Sequence, residues 1–366
     1  MSILVCGLGA AGCKCANDAV KAGVISVEDT ILINSTSKDF PEDFTGRKIT
    51  ISPVGNGAGK EREISKAYTV NAIKGGLFNL ENIDKYSTVC LVTSVEGGTG
   101  SGATPLLAQY FSKVFVKNVW VFALTSFGED VRSLSNSVEF FKEIKDNVIV
   151  HTISNSAFLQ AAEGNKSRAE ELANQEFVKR FRVISGKELI PGAQNIDDTD
   201  IIKLTNTYGY TTVEYKELDK PFGESSDDDK LIKKMIYESK SLKSICPAAT
   251  KMGVILNLSD QSADVLADVF STLKESYGIP YECFKHIQYD GKKEYVAFIV
   301  AGMKLPIDEL QKIYDQYIEQ TKLINKDNDE FFDTMKNMSL LEEDKKFDMI
   351  KPVKKGMSTE DFLSNL

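Results

Sequence analysis

The stretch SVEGGTGSGAT, residues 94–104, places four glycines (97, 98, 100 and 102) within six positions. It lies between an apolar run that reads as a strand, TVCLVTS (88–94), and one that reads as a helix near 103–116. Glycine costs backbone entropy and is kept where the chain must turn tightly or let another group come close. Successive glycine N–H groups can converge into an anion-binding concavity, to which Thr99 and Ser101 add hydroxyls. At the mouth of a helix, whose first N–H groups lack intrahelical partners, a phosphate is the natural occupant.

Working outward, SILVC (2–6), TILIN (30–34), KITISPV (48–54), NVWVFALTS (118–126) and NVIVHTIS (147–154) read as further strands. They are short, almost continuous apolar runs, as expected where both faces of a parallel sheet are covered. Helical patterns fall between them near 13–22, 60–75 and 133–145. The alternation predicts an α/β fold with a doubly wound, mostly parallel sheet over residues 1–165, whose ligands bind at the carboxyl ends of the strands. KSRAEELANQEFVKRFRVIS (166–185) predicts a long central helix, so a connecting element spans 166–186. A second, smaller α/β domain follows at 187–305. It has an exposed acidic loop, GESSDDDK (223–230), strands at 251–259, 281–290 and 294–303, and a helix near 261–276. Residues 306–366 begin as a helix (306–324) and end in a charged, weakly patterned tail.

Two more glycine loops fall at strand ends. GLGAAG (7–12) opens a helix after the first strand, and the pattern is shared with dinucleotide sites. Such sites want an acid at the end of strand two for a ribose hydroxyl, and this chain has Asn34 there, which disfavours NAD. VGNGAGKE (54–61) superficially resembles a P-loop, but Lys60 is followed by Glu61 rather than Ser or Thr, and Val54 stands where the first glycine belongs. Three glycine loops at one sheet edge, each opening a helix, point to a polyphosphate.

Bulk properties exclude other classes. At 42% hydrophobic and 27% charged residues, the composition is that of a folded chain. A net charge of -9 argues against broad direct nucleic-acid binding, although not against an adaptor that reads DNA. No apolar run reaches the roughly 20 residues that span a bilayer, and the first residues lack a signal-peptide pattern, so no membrane contact is expected. The six cysteines include no CxxC pair, which fits a reducing cytoplasm. With only His151 and His286, the sequence argues against His-based catalysis and a multi-His metal centre, and no metal-ligating residues are assigned.

EGGTGSGAT resembles the GGGTGSG signature of the tubulin/FtsZ superfamily, with Glu96 replacing its first glycine. The other loops fall in matching order. GLGAAG resembles the first phosphate loop, NST (34–36) the second, GNGAGKE the third, FGEDVR (127–132) the ribose-contacting fifth, and EELANQE (170–176) the start of the central helix that meets the base. Lys14 stands where an Asn is typical, and Ala10 and Ala11 dilute the first glycine cluster. NIDDTD (195–200) fits the NxDxxD pattern of the family's seventh loop, which enters the nucleotide site of the next subunit. By itself that segment also reads as a helix N-cap in a solvated loop.

The resemblance implies GTP or GDP as ligand and Mg²⁺ as charge compensation. It implies nucleotide contacts from Gly9, Ala10, Ala11, Lys14, Asn34, Gly57, Gly97, Gly98, Thr99, Gly100, Ser101, Glu129, Arg132, Asn174 and Gln175, and a catalytic trio of Asn195, Asp197 and Asp200. It further implies a head-to-tail filament of self-contacts, with GTP hydrolysed where subunits meet. The C-terminal helix and charged tail resemble the plasmid- and phage-encoded tubulins of the TubZ and PhuZ kind, which implies DNA segregation through a DNA-binding adaptor. An FtsZ-like cell-division GTPase, an NAD(P)-dependent oxidoreductase and a non-catalytic nucleotide scaffold are the alternatives.

Overall fold

The computed structural model describes residues 1–125, 128, 130–144, 147–187, 189–219, 228–243, 248–259, 265–289, 293–324 and 357–365. The first half runs β1 (Ile3–Leu8), α1 (Gly9–Lys21), β2 (Thr30–Asn34), β3 (Arg47–Thr50), α2 (Arg62–Lys74), β4 (Thr88–Ser94), α3 (Gly98–Lys113), β5 (Asn118–Thr125), α4 (Val131–Glu143), β6 (Ile149–Ser154) and a short α5 (Ser156–Leu159). Then come α6 (Lys166–Ser185), α7 (Asp198–Thr205), β7 (Gly209–Glu217), α8 (Asp228–Tyr237), β8 (Lys251–Asn257), α9 (Val265–Tyr277), β9 (Glu282–Gln288), β10 (Tyr295–Met303), α10 (Ile307–Ile324) and α11 (Thr359–Ser364).

All ten strands join one sheet, in the order β3-β2-β1-β4-β5-β6-β7-β10-β8-β9. The pairs from β3 to β7 are parallel. β10 runs antiparallel to both β7 and β8, and β9 is parallel to β8. The two halves meet at β6 and β7, which share only two register pairs, Ile149↔Gly209 and Val150↔Tyr210, against six between β5 and β6 and seven between β10 and β7.

Strand periodicity explains the unbroken apolar runs. Leu4, Val89, Leu91, Val119 and Val121 face one core with Leu107 and Phe111 of α3. Their neighbours Ile3, Val5, Cys90, Val92, Trp120 and Phe122 face a second core with Ala173, Phe177 and Phe181 of α6. Each fully buried aliphatic or aromatic side chain stabilises the fold by about 1.5–3 kcal/mol.

Several expectations need correction. β7 was not anticipated: GYTTVEYKE carries polar residues along an otherwise buried strand, so it lacks a continuous apolar run, whereas α7 follows the helix N-cap that NIDDTD offered. α8 takes up the end of the acidic segment from Asp228, while 223–227 lie outside the described residues. The tail is not featureless, because α11 returns to the first half. Phe362 is buried with its ring 5.5 Å from Tyr110, and the Met357 amide donates to the Lys113 carbonyl at 2.8 Å.

A candidate nucleotide site at the switch point of the sheet

β1 and β4 are neighbours, but the chain leaves β1 toward β2 on one side and β4 toward β5 on the other. That reversal opens a crevice beyond their carboxyl ends, where open α/β sheets bind ligands. Both strands pass almost directly into helices there. α1 starts at Gly9 with Leu8 as N-cap, and α3 starts at Gly98 with Gly97 as N-cap. Neither cap residue supplies a side-chain hydrogen bond, and neither first turn holds an acid. The two ends abut: a Cβ on Gly9, whose φ is +70°, would lie 3.2 Å from the Gly100 nitrogen. Two helix dipoles therefore direct uncompensated N–H groups at one place, where a multiply charged anion is stabilised.

The glycines of this site serve the protein as well as a ligand. A methyl group on Gly100 would stand 2.1 Å from Thr93 Oγ1, and one on Gly12 would stand 2.1 Å from the Val92 carbonyl oxygen. Gly98 has no room because the backbone of Lys60 lies 2.6 Å from its Cβ position. Gly97 and Gly57 instead face open space, so they are the positions where the backbone is left bare.

Ser35, on the second loop, joins three loops and was not singled out by sequence. Its hydroxyl lies 2.7 Å from Thr99 Oγ1 and accepts from the Ala58 amide at 3.2 Å. The Ser35 amide donates to Asn34 Oδ1 at 2.8 Å, so Asn34, fully buried, shapes its own loop. Ser65 Oγ donates to the Thr99 carbonyl at 2.9 Å. The hydroxyls in SVEGGTGSG and INSTS were the available signal, but spacing does not tell which hydroxyl meets which loop. Ser101 departs from expectation: its side chain is buried and bonded back to the Gly97 carbonyl within α3. Pro105 cannot donate to the Ser101 carbonyl, and Arg62 Nη2 fills that vacancy at 3.0 Å while pairing with Glu143 at 2.7 Å. Ala10 and Lys14 are exposed on α1, with Ala11 half-buried between them.

Arg132 also departs from expectation. It pairs with Glu61 of the third loop, beside a second tie in which Lys60 Nζ donates to Asp130 Oδ2 at 2.8 Å. Lys60 and the Ser133 amide it caps hold the Asp130 carboxyl well down, at about 2. Glu129 lies outside the described residues. At α6, Asn174 Oδ1 accepts from the Cys15 thiol at 2.6 Å and Nδ2 donates to Asp18 Oδ2 at 3.0 Å. Its amide is thus held by α1, while Gln175 is exposed on a different side, because adjacent helical residues do not share a face. Asp18 is the acidic group that sequence reasoning missed.

The acidic loop stands apart. Asp197 N-caps α7, its Oδ1 accepting from the Asp200 amide at 2.8 Å, and Asp200 is half-buried 3.8 Å from Lys203 Nζ. Asn195 closes a turn by accepting from the Gly192 amide at 2.8 Å. The loop is fastened to β9: the Ile196 amide donates to His286 Nδ1 at 3.1 Å, and Gln194 bridges Ile287. β9 is six strands from β4, and at about 4.8 Å per strand the two are on the order of 30 Å apart. No group of three His, Cys, Asp or Glu side chains among the described residues could hold a metal.

This geometry agrees with what the chain is similar to. Residues 2–163 match the Tubulin/FtsZ family, GTPase domain. Over these residues the chain is similar to a tubulin/FtsZ-type GTPase domain. It is 27% identical over 224 residues to cell division protein FtsZ 1 of Pyrococcus abyssi, a match covering 59% of each chain. The chain thus spans about three fifths of the length of that curated relative. It is 21% identical over 352 residues to the tubulin-like protein TubZ of Clostridium botulinum C phage, covering 93% of each. Among solved structures, the GTPγS-bound protofilament of CetZ2 from Haloferax volcanii superposes with a TM-score of 0.73 at 16% identity, over 88% of this chain and all of the other. At that identity the likeness is one of fold.

Proposed function

We propose that this protein binds GTP at the β1–β4 crevice and hydrolyses it in a head-to-tail filament. The observation that carries the reading is the meeting of two uncapped helix N-termini within the segment similar to a tubulin/FtsZ-type GTPase domain, while the acids suited to orient a water stand on the order of 30 Å away. One subunit would supply the phosphate cradle, and Asp197 and Asp200 of the next would orient the attacking water. Phosphoryl transfer needs chiefly positioning and charge stabilisation, which the N–H groups of α1 and α3 provide. The Asp197 carboxylate is engaged in capping α7, so Asp200, on the first turn of that helix, is the acid proposed to reach across. The contact is heterologous and does not close, so it builds a filament, as in the protofilament of the CetZ2 structure.

Mg²⁺ would neutralise the phosphates. Such an ion would arrive with the nucleotide and keep several of its waters. The similarity to phage TubZ along 93% of the chain favours DNA segregation through a DNA-binding adaptor in the cytoplasm, and the similarity to FtsZ 1 supports a cell-division role as the second reading.

Phosphate release and light scattering, followed together across protein concentration with GTP and Mg²⁺, test this. Specific activity should rise steeply above a critical concentration. Asp200→Ala should still scatter but lose about 100-fold or more in turnover. Turnover per molecule that stays flat with concentration, without scattering, overturns the shared site.

A further inference from the structure

A cavity of about 280 Å³ opens on the α8 and α9 side of the sheet, the side away from α6, beside the narrow β6–β7 join. Its floor is a row of hydroxyls whose hydrogen bonds are made within the protein. Tyr210 donates to the Leu242 carbonyl at 2.6 Å and lies 2.8 Å from Thr152 Oγ1, and Thr212 Oγ1 lies 2.8 Å from Ser241 Oγ. Ile236, Leu242 and Met303 supply apolar walls. The rim differs from the floor. Tyr277 and Tyr237 stand on it, and Tyr237 is 78% exposed. The Tyr277 hydroxyl makes no hydrogen bond among the described residues, and burial pushes its phenol above the usual range, so it stays a donor. Two ammonium groups complete the rim. Lys233 Nζ lies 3.8 Å from Glu275, both side chains being exposed. Lys243 Nζ donates to the Tyr237 carbonyl at 3.0 Å and sits 4.8 Å from the centre of its ring, and no acidic side chain among the described residues pairs with it.

We infer that this cavity is a binding site for a small aromatic monocarboxylate. Its ring enters between Ile236, Leu242 and Met303, and its carboxylate stays at the mouth on Lys243, with the Tyr277 hydroxyl as second donor. Each part of the lining matches a part of that ligand. A concave site with apolar walls takes an apolar body, and a few polar groups at one end fix its orientation. The floor hydroxyls already have their partners, so a polar group pushed down onto them would lose its own hydration without return. Tyr237, large and exposed, gains an aromatic neighbour by stacking on the ring. A lysine and a phenol both donate to a carboxylate, and hydrogen bonds to a charged group are the strong ones. Because Lys233 already faces Glu275, Lys243 is left to balance the ligand, which suits a monoanion better than a doubly charged phosphate ester. The site shares no lining residue with the β1–β4 crevice.

Calorimetric titration of the full chain, free of nucleotide, with phenylacetate and with its neutral isostere phenylacetamide tests this. Phenylacetate should saturate with a Kd at or below about 1 mM, and the amide should bind about 10-fold more weakly, the scale of one charged hydrogen bond. Lys243→Ala should remove most of that preference, and Lys243→Arg should keep it. Ile236→Trp, which fills the cavity from a half-buried position, should abolish binding of both compounds. Lys243 also closes the end of α8, so the thermal midpoint of each variant is measured alongside. A lower midpoint in Lys243→Ala with the preference intact gives Lys243 a structural role only and overturns the inference. So does a wild-type protein that phenylacetate does not saturate, equal binding of acid and amide, or binding that survives Ile236→Trp. Each of those outcomes leaves the GTP site standing.

Discussion

A methyl group at Gly100 would collide with Thr93 before it met any ligand, so the glycine stretch records two demands at once, close packing of α3 on β4 and an open backbone at Gly97. Gly100→Ala should therefore injure the fold, whereas Gly97 answers to what binds. His151 offers a separate test. It is buried, stacked 4.3 Å from the Phe122 ring, and burial, helped by Arg180, pushes its imidazole from 6.5 down to about 3. Below pH 6.5 the unfolded chain takes up a proton that the folded one refuses until about pH 3. Stability should then be fully present above 6.5 and fall by up to about 1.4 kcal/mol per pH unit across that window. Urea midpoints of His151→Phe measured between pH 7 and about pH 4 should fall less steeply than those of the wild type. At this scale the sequence was legible only for residue type. Thr99 lies on the first turn of α3, but nothing in the spacing shows that the Ser101 hydroxyl is taken by Gly97, Arg132 by Glu61, or Asn174 by Cys15 and Asp18. Those partners are 4 to 159 positions away along the chain.

Among elements, β2, β4 and α6 were readable to the residue, because a strand covered on both faces and a helix with a capping Asn165 each leave a plain pattern. β7 was hidden because polar Thr212 and Glu214 sit on it, and their reason lies on α6. Arg180 reaches from that helix to Glu176 at 2.7 Å, the Thr152 carbonyl of β6 at 2.9 Å, Ser241 Oγ at 2.7 Å and Glu214 at 3.6 Å. One buried guanidinium thus joins the central helix to β6, β7 and the segment after α8. Removing it leaves Glu214, whose carboxyl burial already pushes up, with the hydroxyls of Thr212, Ser239 and Ser241 but without its cation. Arg180→Ala should cost about 3–5 kcal/mol in urea unfolding, far more than loss of an exposed pair such as Arg168–Glu171. A loss below about 1 kcal/mol would mean that the network contributes nothing beyond its neighbours.

For the whole molecule, the expected pair of α/β units is built on one sheet, because β7 continues the parallel order of β6 before β10 reverses it. Sequence order could not show this, since the join rests on two backbone pairs and on a strand with no apolar signature. Native-state amide exchange should place Gly209 and the adjoining end of β6 among the earlier-opening sheet amides, ahead of those in β4 and β5. Simultaneous exchange of all these amides would show a single cooperative unit. The narrow β6–β7 join also has a mechanical meaning. A load drawn across the protein passes through a line with two ladder pairs, braced by side chains such as Arg180 and the Thr152–Tyr210 hydroxyl pair, while broader ladders flank it on either side. Strain would collect along that line, leaving the phosphate crevice on one side of it and the acidic loop on the other as two stiff bodies joined by a compliant spring.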